Sequence, residues 1–355
     1  MTRIIAIHGV LPPHRYEQSE ITHAFADMCL PSGADRGVLE RLHTSATVRG
    51  RHLALPLERY ASLSGFGEAN DAFIESALRL GEQAVRGALD RAGLDASEID
   101  LVISTSVTGI AAPSLEARLA GRVGLRPDVK RVPIFGLGCV AGAAGLARVH
   151  DYLDGHPGQV ALLLSVELCS LTLQRTDASM PNLVAGALFG DGAAAVLAVG
   201  RDHPHRREQQ SGPEVVATRS TLYPGTERSL GWDIGDAGFR IVLGADLPDL
   251  VRETLGDEVR SFLSDHDLKT QDVTAWVCHP GGPQVLEAVR ETLDLPARAL
   301  EPTWRSLAEV GNLSSASVLH ILRDTLALHP PPPGSPGLLL AMGPGFCTEQ
   351  VLLRW

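Results

Sequence analysis

The chain has 355 residues, 44% of them hydrophobic and 21% charged, which is enough for a large core divided between two subdomains. Its formal charge of −11, with no dense Lys/Arg run to offset it, argues against general nucleic-acid binding. The opening MTRIIAIHGVLPPHRYEQ has too short an apolar core for a signal peptide, and no run reaches the ~18 apolar residues of a membrane span, so a cytoplasmic protein without an integral membrane segment is expected.

Residues 4–10 read as a strand and 16–28 as a helix after the Pro12-Pro13 break. The stretch 31–67 is polar and carries Arg36, Arg41, Arg49 and Arg51, either a site for a phosphorylated ligand or a solvated face. Residues 70–92 form a long amphipathic helix with Phe73, Ala77, Leu80, Ala84 and Leu89 on one side. DLVISTS (100–106) is a buried strand, followed by a loop at 107–113.

The next stretch, RVPIFGLGCVAGAAGL (131–146), organises the rest: a strand, a tight turn at Gly136 and Gly138, then a helix with Cys139 at its start. A thiol at a helix N-terminus feels the positive end of the macrodipole, which favours the thiolate. The small residues from Ala141 to Gly145 let other backbones approach, so this helix is expected to be buried. Beyond it, QVALLLSVE (159–167) is a buried strand, and ALFGDGAAAVLAV (187–199) turns at Gly190-Asp191-Gly192 into another.

The polar segment 201–213 is the best linker in the chain. After it the second half replays the first: TAWVCHP matches LVISTS, GNLSSASVLHI matches GCVAGAAGL, GLLLAMG matches QVALLLSVE, and CTEQVLLRW matches AAAVLAV. An α/β chain of two similar halves, residues 1–200 and 214–355, is expected.

Five cysteines, odd in number and widely spaced, suggest neither a disulfide framework nor a metal site. Cys139 has its helix start; Cys169, Cys278 and Cys347 lie in or beside apolar strand-like runs and read as structural. His279 ends an apolar run just before Pro280-Gly281-Gly282, at a strand mouth, where α/β folds keep their active groups. Asn312 precedes a helix of small side chains in the manner of an N-cap, and the glycine loop AMGPGF links the two terminal strands. Taken singly, each also has a bland explanation as a core residue or a cap. The spacing Gly136-x-Gly138-x-x-Ala141 also matches a dinucleotide fingerprint, so a nucleotide-binding oxidoreductase is the rival from another class. An acid at the end of a second strand, needed for that reading, is not evident.

In combination, GLGCVAG around Cys139, ALFGDGAAA around Phe189, WVCHPGGP around His279, GNLSSASVL around Asn312 and the MGPGF loop occur in the order and near the spacing of the type III polyketide synthases. The chain resembles that chalcone synthase-like family over essentially its whole length. The resemblance implies a thiolase-like five-layer αβαβα sandwich that works as a homodimer and uses acyl-CoA and malonyl-CoA as substrates without a further cofactor. It implies Cys139 as the acyl-carrying nucleophile, His279 as the group that keeps it ionised, and His279 with Asn312 as donors to the enolate formed when malonyl-CoA loses CO2. Phe189 would be the gate between the CoA tunnel and the reaction cavity.

The residue types suit that chemistry, since a thioester needs a good leaving thiol and a developing enolate needs fixed N–H donors. A ketosynthase III also uses Cys, His and Asn, but it typically shows a His-Gln-Ala-Asn run that is absent here. The resemblance further places Thr172 at a cavity-lining position, Gly343, Pro344 and Gly345 in the family's glycine loop, and Ala112 where plant members carry a methionine that crosses the dimer interface. Met342 stands where that loop usually has Phe. The SVELCSLTLQ segment is similar to alkylpyrone- and alkylresorcinol-forming members, which implies a long-chain fatty acyl starter. The alternative is malonyl-CoA as its own starter, giving a tetrahydroxynaphthalene-type product.

Overall fold

The computed structural model describes residues 1–31, 33–205 and 212–355. In the first half the chain runs β1 (Thr2–Val10), β2 (His14–Glu17), α1 (Gln18–Cys29), α2 (Arg36–Ser45), β3 (Gly50–Leu53), α3 (Leu57–Tyr60) and α4 (Phe66–Ala92). It continues through β4 (Leu101–Thr105), α5 (Leu115–Val123), β5 (Lys130–Ile134), α6 (Ala141–Gly155), β6 (Val160–Leu168), α7 (Met180–Leu188) and β7 (Asp191–Val199). The second half holds β8 (Glu214–Leu222), a hairpin of β9 (Leu230–Gly235) and β10 (Gly238–Leu243), α8 (Leu247–Ser264) and β11 (Ala275–Cys278). It closes with α9 (Pro283–Thr292), α10 (Glu301–Val310), α11 (Ser317–Leu328), β12 (Pro336–Gly343) and β13 (Cys347–Arg354).

Strand pairing repeats between the halves. In the first, β4 lies parallel to β6, β6 antiparallel to β7, and β7 antiparallel to β1. In the second, β11 lies parallel to β12, β12 antiparallel to β13, and β13 antiparallel to β8. The halves meet where Thr2 pairs with Val215 and Arg3 with Glu214, giving the continuous order β11-β12-β13-β8-β1-β7-β6-β4-β5.

Three apolar clusters fill the spaces of a five-layer sandwich. The first packs Phe73, Ala77, Leu80 and Ala84 of α4 on the outer sheet face, with Leu162 and Leu164. In the central cluster, α6 and α11 (Ala143, Leu146, Leu319, Leu322) lie between inner faces that carry Leu163 and Leu339. The third sets Val251, Leu255 and Phe262 of α8 against Leu338 and Leu340. Because strand side chains alternate, Leu162, Leu163 and Leu164 serve two layers in turn, which is why residues 160–164 carry no polar side chain.

Some elements differ from their sequence-based limits. The α4 helix starts at Phe66 because Glu68 Oε2 accepts from the Ser64 N–H at 2.8 Å and from its hydroxyl at 2.9 Å, organising an extra turn. It ends where Gly93 takes φ 66°. The polar 31–67 stretch contains α2, β3 and α3, and residues 206–211 of the expected linker lie outside the described residues. Among the described residues no helix is long and apolar enough to cross a membrane.

Candidate active site

Cys139 belongs to a one-turn 3-10 segment, Gly138–Val140, that runs directly into α6. The second half repeats the device, with a 3-10 turn at Ser314–Ala316 running into α11. Gly138 and Ser314 open the two turns with positive φ, 56° and 49°. Glycine takes this conformation freely, whereas serine is strained in it and must be held by its surroundings. The two turns are pressed together because Gly142 lacks a side chain; a Cβ there would stand 2.1 Å from the Ser315 carbonyl oxygen. As a consequence the Cys139 thiol points at Ser314 Oγ, 3.6 Å away.

His279 follows the last residue of β11, with its backbone N–H on Leu340 O at 2.9 Å, so it projects from the end of the parallel β11/β12 pair. Asn312 pairs with the segment that carries Phe189: its N–H donates to Leu188 O at 2.8 Å, and Gly190 N–H donates to Asn312 O at 2.9 Å. Gly311 permits that approach, since a Cβ there would meet Leu188 O at 2.7 Å. Arg51 Nη1 donates to Phe189 O at 2.7 Å and holds the same segment from the other side. The side-chain oxygen of Asn312 accepts from Ser314 N–H at 2.8 Å, which leaves its Nδ2 facing His279 Nε2 at 3.4 Å. His279 and Asn312 are 2% and 1% exposed.

Two connected chambers meet at these groups. The larger, about 980 Å³ counted to its open mouth, is lined by Thr172, Ser314 and Pro344 among mainly apolar neighbours. The smaller, about 460 Å³, is lined by His279, Asn312 and Met342. Cys139, Phe189 and Leu230 face both, so the thiol stands at the junction with Phe189 beside it.

Burial dominates the electrostatics. It pushes the Cys139 thiol up to about 12, against a smaller downward pull from the Ser314 bond, and draws His279 down to about 3. Burial therefore opposes the thiolate that the helix start favours.

Other anticipated residues fall into place differently. Thr172 lines the larger chamber and its hydroxyl donates to Cys169 O at 2.8 Å. Pro344 lines it too, while Gly343 packs on the Cys139 turn, where a Cβ would lie 2.7 Å from Leu137 O; Gly345 turns the loop at φ 105°. Ala112 is exposed ahead of Pro113 and lines neither chamber of this chain. Arg36 pairs with Asp27 at 2.6 Å and Arg49 with Glu309 at 3.8 Å, both exposed, whereas Arg51 is buried. Cys169, read as structural, lines the larger chamber.

Sequence reasoning passed over Ser314 and Glu167. Glu167 is fully buried and gathers Ser315 Oγ at 2.5 Å, Thr108 Oγ1 at 2.8 Å, Val107 N–H at 3.1 Å and Ser314 Oγ at 3.4 Å. Its one signal was an acid closing a long apolar strand. Among the described residues no group of three His, Cys, Asp or Glu side chains is placed to hold a metal ion.

Two repeated α/β halves enclosing a cysteine between buried central helices define a thiolase-fold protein. The sequence pattern of the chalcone and stilbene synthase N-terminal domain matches residues 1–203, and that of the C-terminal domain matches residues 214–355. The chain belongs to this family, the type III polyketide synthases, and is a condensing enzyme of the acyltransferase kind. The 1,3,6,8-tetrahydroxynaphthalene synthase of Streptomyces peucetius subsp. caesius is 62% identical over 354 residues, covering 100% of this chain and 93% of that protein. The enzyme of the same name from Streptomyces coelicolor is 33% identical over 315 residues, covering 89% and 82%. A crystal structure of a Streptomyces coelicolor tetrahydroxynaphthalene synthase matches with a TM-score of 0.93 at 30% identity, covering 99% of each chain.

Proposed function

We propose that this enzyme primes itself with malonyl-CoA, extends the chain with further malonyl-CoA, and cyclises it to a tetrahydroxynaphthalene-type product. The observation that carries this reading is the 62% identity to a tetrahydroxynaphthalene synthase over the whole chain. The fatty acyl starter suggested by SVELCSLTLQ has less support, because the relatives named above make the naphthalene.

In the proposed cycle the Cys139 proton passes to His279, and the thiolate attacks the thioester carbonyl of the starter. The carbonyl–sulfur bond to CoA breaks, CoA leaves as its thiolate and is protonated by water, and His279 keeps the proton on Nε2. A second malonyl-CoA enters the smaller chamber, its carbon–carboxylate bond breaks with release of CO2, and the electron pair passes to an enolate. Protonated at Nε2, His279 stands beside Asn312 Nδ2, so two N–H groups converge on the enolate oxygen; one such donor is typically worth ~3 kcal/mol. The enolate carbon attacks the acyl thioester on Cys139 and releases the thiolate. Phe189, at the junction of the chambers, separates the CoA side from the growing chain.

The working form is a homodimer in this reading. Ile110, Val132 and Phe135, each more than 40% exposed around the edge strand β5, supply apolar surface for a second copy. Product analysis by mass spectrometry tests the function. Malonyl-CoA alone is expected to give a naphthalene with the parent and nothing with Cys139→Ala; a product that appears only when a fatty acyl-CoA is added would overturn the starter assignment. Sedimentation as a single-chain species would overturn the dimer.

A further inference from the structure

Arg51 is a buried cation that the cycle above does not use. It is 3% exposed, rises from β3, and lines the larger chamber together with Tyr60, Cys169 and Ser170. Its stem runs past Gly311, where an added Cβ would lie 3.1 Å from Arg51 Cδ, so the glycine makes room for it. Nη1 is committed to Phe189 O, but Nε and Nη2 are buried without a hydrogen-bond partner in the protein. Asp191 attracts the guanidinium across the wall, yet its own oxygens are engaged by Ala54 N–H at 2.6 Å, Ser170 N–H at 2.8 Å and the Ser170 hydroxyl. Tyr60 and Ser170 likewise satisfy each other at 2.5 Å.

The two open positions have a specific geometry. Nε–H and Nη2–H lie on one edge of the planar guanidinium and point the same way, the edge that receives a carboxylate through two parallel hydrogen bonds. The Asp191 carboxylate offsets the charge without bonding to that edge, so the two buried N–H donors stay unsatisfied unless an oxygen acceptor reaches them. The chamber it lines also receives the thiol of Cys139, where the chain is carried.

We propose that Arg51 receives the free carboxylate at the distal end of a chain grown from a malonyl starter. The inference rests on the malonyl-primed reading and deepens it. A malonyl unit loaded through its thioester keeps a carboxylate at its other end, and each extension drives that end further from Cys139 into the chamber. A fatty acyl chain ends in a methyl group and an acetyl-primed chain in a methyl ketone, neither of which matches a two-pronged cationic edge. Arg51 thus acts as a specificity-determining residue: it favours the charged starter and pins the far end of the chain while the near end is extended.

The test compares starters in parent, Arg51→Met and Arg51→Lys enzymes. Each is supplied with malonyl-CoA alone, with acetyl-CoA plus malonyl-CoA, and with hexanoyl-CoA plus malonyl-CoA. Arg51→Met is expected to lower kcat/KM for malonyl-primed product at least tenfold more than for hexanoyl- or acetyl-primed product, and Arg51→Lys to recover part of that difference. An equal loss for all starters would mean that Arg51 serves only to hold the Phe189 carbonyl, and the inference would fall. Should Arg51→Met not fold, Arg51→Lys carries the same comparison, because it keeps a charge and a donor but lacks the two-pronged edge. A parent that makes no product from malonyl-CoA alone sinks the starter assignment itself, an outcome visible before any variant is made.

Discussion

The side-chain oxygen of Asn312 accepts the backbone N–H of Ser314 at 2.8 Å, and this bond decides which way the amide faces. With the oxygen committed, the NH2 group is the one presented to His279 and the smaller chamber. Asn312→Asp keeps the acceptor for Ser314 and replaces the donor by a second oxygen. Decarboxylation of malonyl-CoA is expected to fall ~100-fold or more, the usual cost of losing one oxyanion donor. Acylation of Cys139, followed by the intact mass of the protein, is expected to persist. Unchanged CO2 release from the variant would remove Asn312 from the proposed role.

The proposed cycle gives His279 the thiol proton, and burial pushes the Cys139 thiol up to about 12 in the absence of such a partner. In His279→Ala, alkylation of Cys139 by iodoacetamide at pH 7 is expected to slow by about tenfold or more. The rate should then keep climbing above pH 9, as for an unassisted buried thiol, while the parent levels off earlier. Peptide mapping separates Cys139 from the partly exposed Cys347. Matching pH profiles in the two proteins would show that the imidazole does not ionise the thiol.

Much of this arrangement was legible in the chain. The apolar run of β6 and its counterpart in β12 announced strands covered on both faces, and the Ala/Gly run after Cys139 announced a helix buried between them. What stayed hidden depends on tertiary context. Four arginines in one polar stretch looked alike, yet Arg36 and Arg49 face solvent and Arg51 is buried at the chamber wall. Cys169 has the sequence surroundings of a core residue and differs only because the chamber opens beside it. Cys139 follows the same rule: its helix start is local and visible in the chain, whereas the burial that pushes its thiol up to about 12 comes from tertiary packing.

Gly142 tests whether the close approach of the two central turns sets the site. Gly142→Ala puts a methyl group 2.1 Å from Ser315 O, a backbone atom that cannot rotate away. The expected cost is ~1–3 kcal/mol of stability. Activity should fall as well, because Ser314 and Cys139 would be forced apart. Gly121→Ala, also in a helix but with nothing near its added Cβ, is the control and should be neutral or slightly stabilising. Equal behaviour of the two variants in thermal unfolding and in turnover would contradict this account of the packing.

Glu167 gives the site a dependence on pH that can be isolated. Burial raises its carboxyl from 4.5 to about 7, and the surrounding hydroxyl and N–H donors only partly oppose the shift. A carboxyl held above its unfolded value stabilises the native state fully below about 4.5, and that contribution is lost as the pH rises through about 7. Across this interval the loss is on the order of 3 kcal/mol. The buried His43, His279 and His320, each drawn down to about 3, act in the opposite sense and lose stability as the pH falls below 6.5. Comparison of parent with Glu167→Gln cancels the histidines. The amide oxygen can still accept from Val107 N–H and Thr108, while the NH2 group faces the Ser314 and Ser315 hydroxyls, which rotate to accept. The variant is therefore expected to gain melting temperature relative to the parent between pH 5 and pH 8. A difference that stays constant over that range would mean that Glu167 is already ionised in the folded protein at pH 5, its donors outweighing its burial.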